Sequence, residues 1–262
     1  MLVRVLGPRS AFCFIHNHPY EGNAVMPTTH LICLPFAGSG ASFFKEWQSV
    51  APEGLRIVPV QLPGREERFI DAPHTEVARA VEEIHAGVLN QLADAERIAV
   101  FGHSLGAVLA YELMHQLSVS QPASLSRLFV SGSPGPWNGR EHRATGLDDE
   151  AFLAQVRAFA GYDHPALAHP EMRALLLPML RADVQMHESY RPTSEKPLDV
   201  AVTALRGRDD ELVDAEQITQ WRDATTADFR TAELNGGHMY LADGTEALLR
   251  LIAAELELVD AR

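Results

Sequence analysis

Cysteine is scarce in this sequence, whose 262 residues include only Cys13 and Cys33. The two lie in separate segments without metal-ligand spacing, which excludes a site built from clustered cysteines. Disulfide-rich chains belong mainly to oxidising compartments. So little cysteine therefore favours a protein of a reducing cytoplasm.

Basic residues are also few. The chain has 22 lysines and arginines against 35 aspartates and glutamates, which gives a formal net charge of −13. Such a surface repels nucleic-acid phosphates and the headgroups of anionic membranes. We therefore expect no nucleic-acid partner and no membrane partner.

The N-terminal region lacks a long hydrophobic run. Its apolar stretch, 11–15, is too short for the core of a signal peptide or for a membrane span. His16 and His18 lie close together but have no third ligand in reach, so we expect no metal site there. We interpret residues 1–29 as a poorly ordered N-terminal extension, followed by one domain at 30–262.

The most informative stretch is the pentapeptide Gly-His-Ser-Leu-Gly at 102–106. An apolar run at 98–101 precedes it and predicts a buried strand. Apolar residues at helical spacing follow it up to Leu117 and predict a helix. Strand, sharp turn and helix form the nucleophile elbow of α/β-hydrolases, which makes Ser104 the candidate nucleophile.

Two backbone N–H groups are candidates for an oxyanion hole, the pair of donors that binds the negative oxygen of a tetrahedral intermediate. One belongs to Leu105, at the start of the predicted helix. The other belongs to the glycine-rich loop 35–42, where we assign it to Ala37, with Phe36 as the alternative. That loop has neither the P-loop ending nor the G-x-G-x-x-G pattern, so it does not predict a nucleotide site.

A serine nucleophile needs a histidine base and a carboxylate, which follow it in the order acid then histidine in this fold. His238 follows two glycines at the end of a predicted strand at 229–234. Asp209 and Asp210 both follow a predicted strand at 200–205. We prefer Asp210, because it fits the Gly-x-x-Asp-x-x-Val acid loop, and keep Asp209 as the alternative.

Strand and helix patterns alternate along most of the chain. This alternation predicts an α/β fold of the α/β-hydrolase type, with a mostly parallel central sheet and helices on both faces. Between about 147 and 190 the pattern is helical throughout. Because it lies between nucleophile and acid, we expect this insertion to be a helical lid whose apolar face lines an acyl chamber. The alternative for any one of these apolar residues is that it packs on the sheet.

Five motifs together resemble type II thioesterases, the stand-alone editing enzymes of polyketide and nonribosomal peptide synthesis. They cover roughly residues 30–255 and occur in the family's order: LPFAG at 34–38, LPGRE at 62–66, FGHSLGA at 101–107, LRAD at 180–183 and GGHM at 236–239.

The resemblance implies a stand-alone hydrolase that cleaves acyl thioesters from the phosphopantetheine arm of acyl or peptidyl carrier proteins and so removes aberrant acyl groups. We expect a monomer, although the sequence itself does not disclose the oligomeric state. It implies no metal and no organic cofactor. Carrier proteins of this class are acidic, so Arg65, Arg68 or Arg181 could form a docking face; ion pairs with Glu66, Glu67 or Asp183 are the alternative.

Other functions use the same residues. A small-ester hydrolase or lipase-like esterase would share the triad but prefer oxygen esters. An acyltransferase or cyclising thioesterase would transfer the acyl group to an alcohol or amine. A noncatalytic protein of this fold should have lost a triad residue, and none is missing here.

Overall fold

The computed structural model describes residues 28–139, 143–160 and 165–258. The expectations for most of the N-terminal extension, including His16, His18 and Cys13, lie outside these residues. Among the described residues, no helix combines the length and the apolar character needed to cross a membrane.

A six-stranded sheet forms the centre of the protein, and every neighbouring pair of strands is parallel. The strand order is β2-β1-β3-β4-β5-β6. The strands are β1 Thr29–Leu34, β2 Leu55–Pro59, β3 Arg97–His103, β4 Leu125–Ser131, β5 Ala201–Gly207 and β6 Phe229–Leu234. This arrangement confirms the predicted fold class.

Both faces of the central strands are buried. Successive side chains of a strand point to opposite faces of the sheet. In β3, Ile98 and Val100 belong to one apolar cluster, while Ala99 and Phe101 belong to another. The apolar run 98–101 of this strand is therefore covered on both sides, as the sequence predicts.

Helices cover the two faces. One cluster contains side chains of the second and third helices, and the other contains side chains of the first and the last. The helices are α1 Ala41–Lys45, α2 Val77–Leu89, α3 Leu105–Ser120, α4 Asp149–Ala160, α5 Pro170–Ser189, α6 Ala215–Thr219, α7 Tyr240–Asp243 and α8 Thr245–Glu255.

The segment between β4 and β5 contains helices α4 and α5 and a 3-10 turn at Pro165–Ala168. A third apolar cluster joins Phe152 and Leu153 of α4 to Leu177 and Val184 of α5. Helix α5 continues through Pro178. The two helices thus pack on each other rather than only on the sheet.

The strand order indicates where a ligand-binding crevice lies. Strand β1 has β2 on one side and β3 on the other, so the connections after β1 and after β3 leave the sheet in opposite directions. Open parallel sheets bind ligands at such a point, beyond the carboxyl ends of the strands. The loop after β1 and the elbow after β3 both lie there.

Candidate active site

Ser104 is the single residue between the end of β3 and the start of α3. Its backbone has φ 54° and ψ −116°, a strained conformation for a residue with a side chain. The Ser104 N–H donates to the carbonyl oxygen of Ser131 at 2.8 Å, which ties the turn to the end of β4. These are the features of a nucleophile elbow.

The two glycines of the pentapeptide allow the helix to approach the sheet. A Cβ atom on Gly102 would lie 1.8 Å from the carbonyl oxygen of Gly106, and one on Gly106 would lie 2.5 Å from that of Leu34. Both neighbours are backbone atoms that no side-chain rotation can move. Only glycine therefore fits at either position.

Substituting alanine for Gly102 should destabilise the protein by about 3 kcal/mol, the upper end of the usual cost of overpacking. Gly87→Ala is the matched control, because Gly87 is an exposed residue within α2, and a methyl group there would have no other atom within 4 Å. It should stabilise by about 0.5–1 kcal/mol through helix propensity. Thermal melts measure both changes, and a Gly102→Ala melt at the wild-type temperature would contradict the close approach.

His238 and Asp210 form a buried pair. His238 Nδ1 lies 2.9 Å from Asp210 Oδ2, and the two side chains are 7% and 0% exposed. The other carboxylate oxygen accepts hydrogen bonds from the N–H groups of Leu212 at 2.8 Å and Val213 at 3.2 Å. The carboxylate is therefore fixed against the histidine ring.

The environment of Asp210 keeps it ionised. Burial alone would raise the pKa of this carboxyl, but the hydrogen bond and charge of His238 and the two backbone donors outweigh burial and lower the pKa below its usual value. Asp209, in contrast, is exposed, and its N–H donates to the carbonyl oxygen of Gly236. The structure thus brings Asp210, not Asp209, to the histidine.

His238 lies beside the elbow. Its ring centroid is 4.7 Å from that of His103, the residue directly before Ser104. Gly132, which follows β4, faces both rings: a Cβ atom there would lie 2.4 Å from His103 Cε1 and 3.0 Å from His238 Cε1. Larger residues at this position would push the two histidines apart or away from the sheet.

A buried chain of polar side chains supports this arrangement, and sequence reasoning missed it. His103 Nδ1 lies 2.9 Å from Ser131 Oγ, which lies 2.7 Å from the hydroxyl of Tyr240. Burial raises the pKa of Tyr240, so its hydroxyl stays protonated. The position of Tyr240, two residues after His238, was a signal available in the sequence. Its contact with Ser131 joins residues 109 positions apart, and local sequence pattern does not predict such a contact.

The two backbone donors proposed for the oxyanion hole lie at the same edge. Leu105 is the first residue of α3, where backbone N–H groups have no partner within the helix. Ala37 lies in a turn directly after β1, closed by a hydrogen bond from Ser39 N–H to the carbonyl oxygen of Phe36 at 3.0 Å. The donors thus come from β1 and β3, the neighbours at the crevice.

A cavity of about 370 Å³ lies between the loop after β4 and the end of α5. Its lining includes Val108 of α3, Ser133 and Trp137 of the loop, and Tyr190 after α5. Polar side chains line it as well: Arg143, His187, Glu188 and Arg191. Among the described residues, no three histidine, cysteine or acidic side chains are grouped to hold a metal ion.

Two of the three arginines proposed for a docking face pair with acids near the loop after β2. Arg65 is only 5% exposed and binds Asp183, so the docking hypothesis is wrong for this residue. Arg68 is 34% exposed and pairs with Asp71 and Glu83. Only Arg68 of these two therefore retains a surface that a partner could reach.

The third arginine, Arg181, joins the two helices of the insertion. Its Nη2 lies 2.6 Å from Asp149 Oδ1, and its Cζ lies 4.3 Å from the centre of the Phe152 ring. The side chain remains 30% exposed. Arg181 thus contributes to the contact between α5 and α4 while part of it still faces solvent.

Comparison with known proteins gives a consistent result. The family model described as "Thioesterase domain" matches residues 29–256. The gramicidin S biosynthesis protein GrsT of Aneurinibacillus migulanus is 32% identical over 232 residues, which are 87% of this chain and 89% of that protein. Thioesterase PikA5 of Streptomyces venezuelae is 33% identical over 243 residues, 93% and 85% of the two chains.

A solved structure agrees with these relatives. The RedJ thioesterase from the prodiginine biosynthetic pathway of Streptomyces coelicolor superposes with a TM-score of 0.78 at 31% identity. The superposition covers 92% of each chain. The likeness therefore extends over the sheet, the elbow and the helical insertion together.

Proposed function

Since the chain belongs to the thioesterase family, and within it resembles the type II thioesterases throughout, we propose that Ser104, His238 and Asp210 are its catalytic triad. The observation that carries this proposal is the buried Asp210–His238 hydrogen bond beside the strained serine turn. The substrate is an acyl thioester on the phosphopantetheine arm of a carrier protein.

Acylation begins with attack of Ser104 Oγ on the thioester carbonyl carbon. Because His238 Nδ1 is bonded to Asp210, Nε2 is the basic nitrogen that takes the hydroxyl proton. Asp210 holds the ring and stabilises its charged form. The carbonyl oxygen becomes an oxyanion, which the N–H groups of Ala37 and Leu105 bind.

Collapse of this intermediate breaks the carbon–sulfur bond. The thiol leaves with the proton from His238, and the acyl group stays on Ser104 as an ester. Water then attacks the ester carbonyl while His238 takes a proton from it, and the second collapse returns that proton to Ser104 as the carboxylic acid leaves. No step needs a metal or an organic cofactor.

The helical insertion is the proposed lid. Helices α4 and α5 share their own apolar cluster, and α5 ends beside the cavity after β4. We propose that the apolar face of this insertion lines the acyl chamber, because the insertion lies between Ser104 and Asp210 in the chain. The domain then comprises 30–262, with the lid at about 147–190.

The net negative charge of the enzyme affects how an acidic carrier protein can dock. At a net charge of −13, the enzyme repels an acidic carrier at long range. Arg68 and Arg181 remain partly exposed, so they stay in the proposed docking face, although their acidic neighbours offset much of their charge. We propose a monomer acting in the cytoplasm, where such synthases and reduced thiols are found.

Comparing two substrates with the same acyl chain tests the proposed reaction. A thioesterase should hydrolyse the N-acetylcysteamine thioester with a kcat/KM at least about tenfold above that for the matching oxygen ester, or about 1.4 kcal/mol in transition-state binding. An esterase should show the reverse order. If the oxygen ester is preferred, the esterase alternative replaces the proposal.

A further inference from the structure

A buried ion pair lies behind the loop that carries Ala37. Arg65 donates to both oxygens of Asp183, with Nη1 2.7 Å from Oδ2 and Nη2 2.7 Å from Oδ1. The side chains are 5% and 0% exposed. Such a bidentate pair fixes the orientation of both groups as well as their separation.

Both members of the pair also bind the backbone of this loop. Asp183 Oδ2 accepts a hydrogen bond from the N–H of Gly38 at 2.8 Å. Arg65 Nη1 donates to the carbonyl oxygen of Ser39 at 3.0 Å. One charged pair thus holds the two residues that follow Ala37. The carboxylate of Asp183 binds the N–H of Gly38, and the guanidinium of Arg65 binds the carbonyl oxygen of Ser39.

The pair comes from two distant parts of the chain. Arg65 follows the loop after β2, where its Nε also donates to the carbonyl oxygen of Pro63 at 3.3 Å. Asp183 belongs to α5, 118 residues further on. Leu180, one turn before Asp183, also packs against the loop: a Cβ atom on Gly38 would lie 3.2 Å from its Cδ1.

Stability alone gives a poor account of this arrangement. Removing two charges from water costs several kcal/mol for each ion, and apolar residues of similar volume often stabilise a core as well or better. The pair provides direction instead: it fixes where the Gly38 N–H and the Ser39 carbonyl point. The N–H of Ala37 shares its peptide plane with the carbonyl group of Phe36. That carbonyl oxygen accepts hydrogen bonds from the N–H of Ser39 at 3.0 Å and from Ser39 Oγ at 2.8 Å, so holding Ser39 also orients the Ala37 N–H.

We propose that Arg65 and Asp183 are positioning residues that hold the Ala37 N–H where the oxyanion forms, and so couple helix α5 to the catalytic loop. This inference rests on the proposed function, which assigns that N–H to the oxyanion hole. Neither side chain touches the reacting atoms. The second half of α5 is then part of the catalytic frame and not a freely moving part of the lid.

The test removes both charges at once. In Arg65→Met/Asp183→Leu no buried charge is left unpaired, so the fold should survive. The thermal midpoint should fall by a few degrees, because the Gly38 N–H and the Ser39 and Pro63 carbonyl oxygens lose these hydrogen bonds. The matched control is Arg127→Met/Glu255→Leu. It removes another ion pair with a buried arginine, at 3.3 Å, where β4 begins and α8 ends.

We expect kcat for an N-acetylcysteamine thioester to fall by about 10- to 100-fold with KM within about twofold, because the donor is misplaced rather than lost. The control should keep its kcat. A fluorophosphonate gives an independent readout: Ser104 Oγ bonds to phosphorus as His238 takes the hydroxyl proton, fluoride leaves, and the phosphoryl oxygen occupies the oxyanion hole. Its rate of reaction should fall by a similar factor.

A double variant that folds and keeps both rates within about threefold of the wild type overturns the inference. If it does not fold, Arg65→Lys decides. A lysine keeps a cation opposite Asp183 but loses the fork and the bond to Ser39, so both rates should fall at least about fivefold; unchanged rates overturn the inference. If the wild type reacts with the fluorophosphonate but cleaves no thioester, the proposed function is refuted. The inference about Arg65 and Asp183 is then tested by comparing the fluorophosphonate reaction rates of the wild type and the double variant.

Discussion

Replacing Ser104 with alanine should lower kcat for thioester hydrolysis by about 10⁴- to 10⁶-fold. The hydroxyl is the only group at the elbow that forms the covalent intermediate, and His238 has no substitute nucleophile to activate. The oxyanion donors are backbone groups that the substitution leaves in place, so a small residual rate should remain. Release of thiol from an N-acetylcysteamine thioester measures the loss.

The control for this variant is Ser118→Ala, which removes a hydroxyl from the last turns of the same helix. Ser118 Oγ donates to the carbonyl oxygen of His115, far along α3 from the elbow. This variant should keep wild-type activity, and both variants should melt within a few degrees of the wild type. If Ser104→Ala retains more than about a tenth of the activity, another residue is the nucleophile.

Replacing Asp210 with asparagine should lower kcat by about 10³- to 10⁴-fold. An amide can present its NH₂ group to His238 Nδ1, which favours the wrong tautomer and removes the charge that stabilises the imidazolium. The pKa of Asp210 is lowered, so the carboxylate is ionised at every pH well above about 3.9, the value of a free aspartate. The deficit should therefore persist from pH 5 to pH 9.

Asp209→Asn is the matched control, one residue away. Its carboxylate is exposed, and the loop holds Asp209 through its backbone N–H, which the substitution keeps. Its kcat should stay within about twofold of the wild type over the same pH range. The opposite result, with Asp209→Asn inactive and Asp210→Asn active, would show that the other acid works with His238.

Local sequence pattern was sufficient to predict the fold class and the strand–turn–helix elbow at Ser104. An apolar run, a glycine–serine turn and a helical repeat specify their own structure, because each depends on neighbours within a few residues. The loop of Asp209 and Asp210 and the position of His238 follow for the same reason, since both come shortly after a strand end. The edge of a parallel sheet then brings them together.

Contacts between distant segments were not predictable in this way. Asp209 and Asp210 differ by one position, and only the path of the loop decides which carboxylate turns inward. A surface role for Arg65 is the natural expectation from sequence, because arginine is mostly exposed in folded proteins. The ion-pair alternative included Asp183 among its acids, but only the fold shows that this acid, 118 residues away, is the one that binds Arg65 and buries it.

The central claim is that this enzyme hydrolyses acyl thioesters on a carrier protein through Ser104. Intact-mass analysis of a carrier loaded with acetyl- or butyryl-phosphopantetheine, before and after incubation with enzyme, tests it most directly. The account predicts loss of the acyl mass with the wild type and a carrier that stays loaded with Ser104→Ala. A carrier that stays fully loaded with the wild type, while p-nitrophenyl esters are cleaved through Ser104, would contradict it.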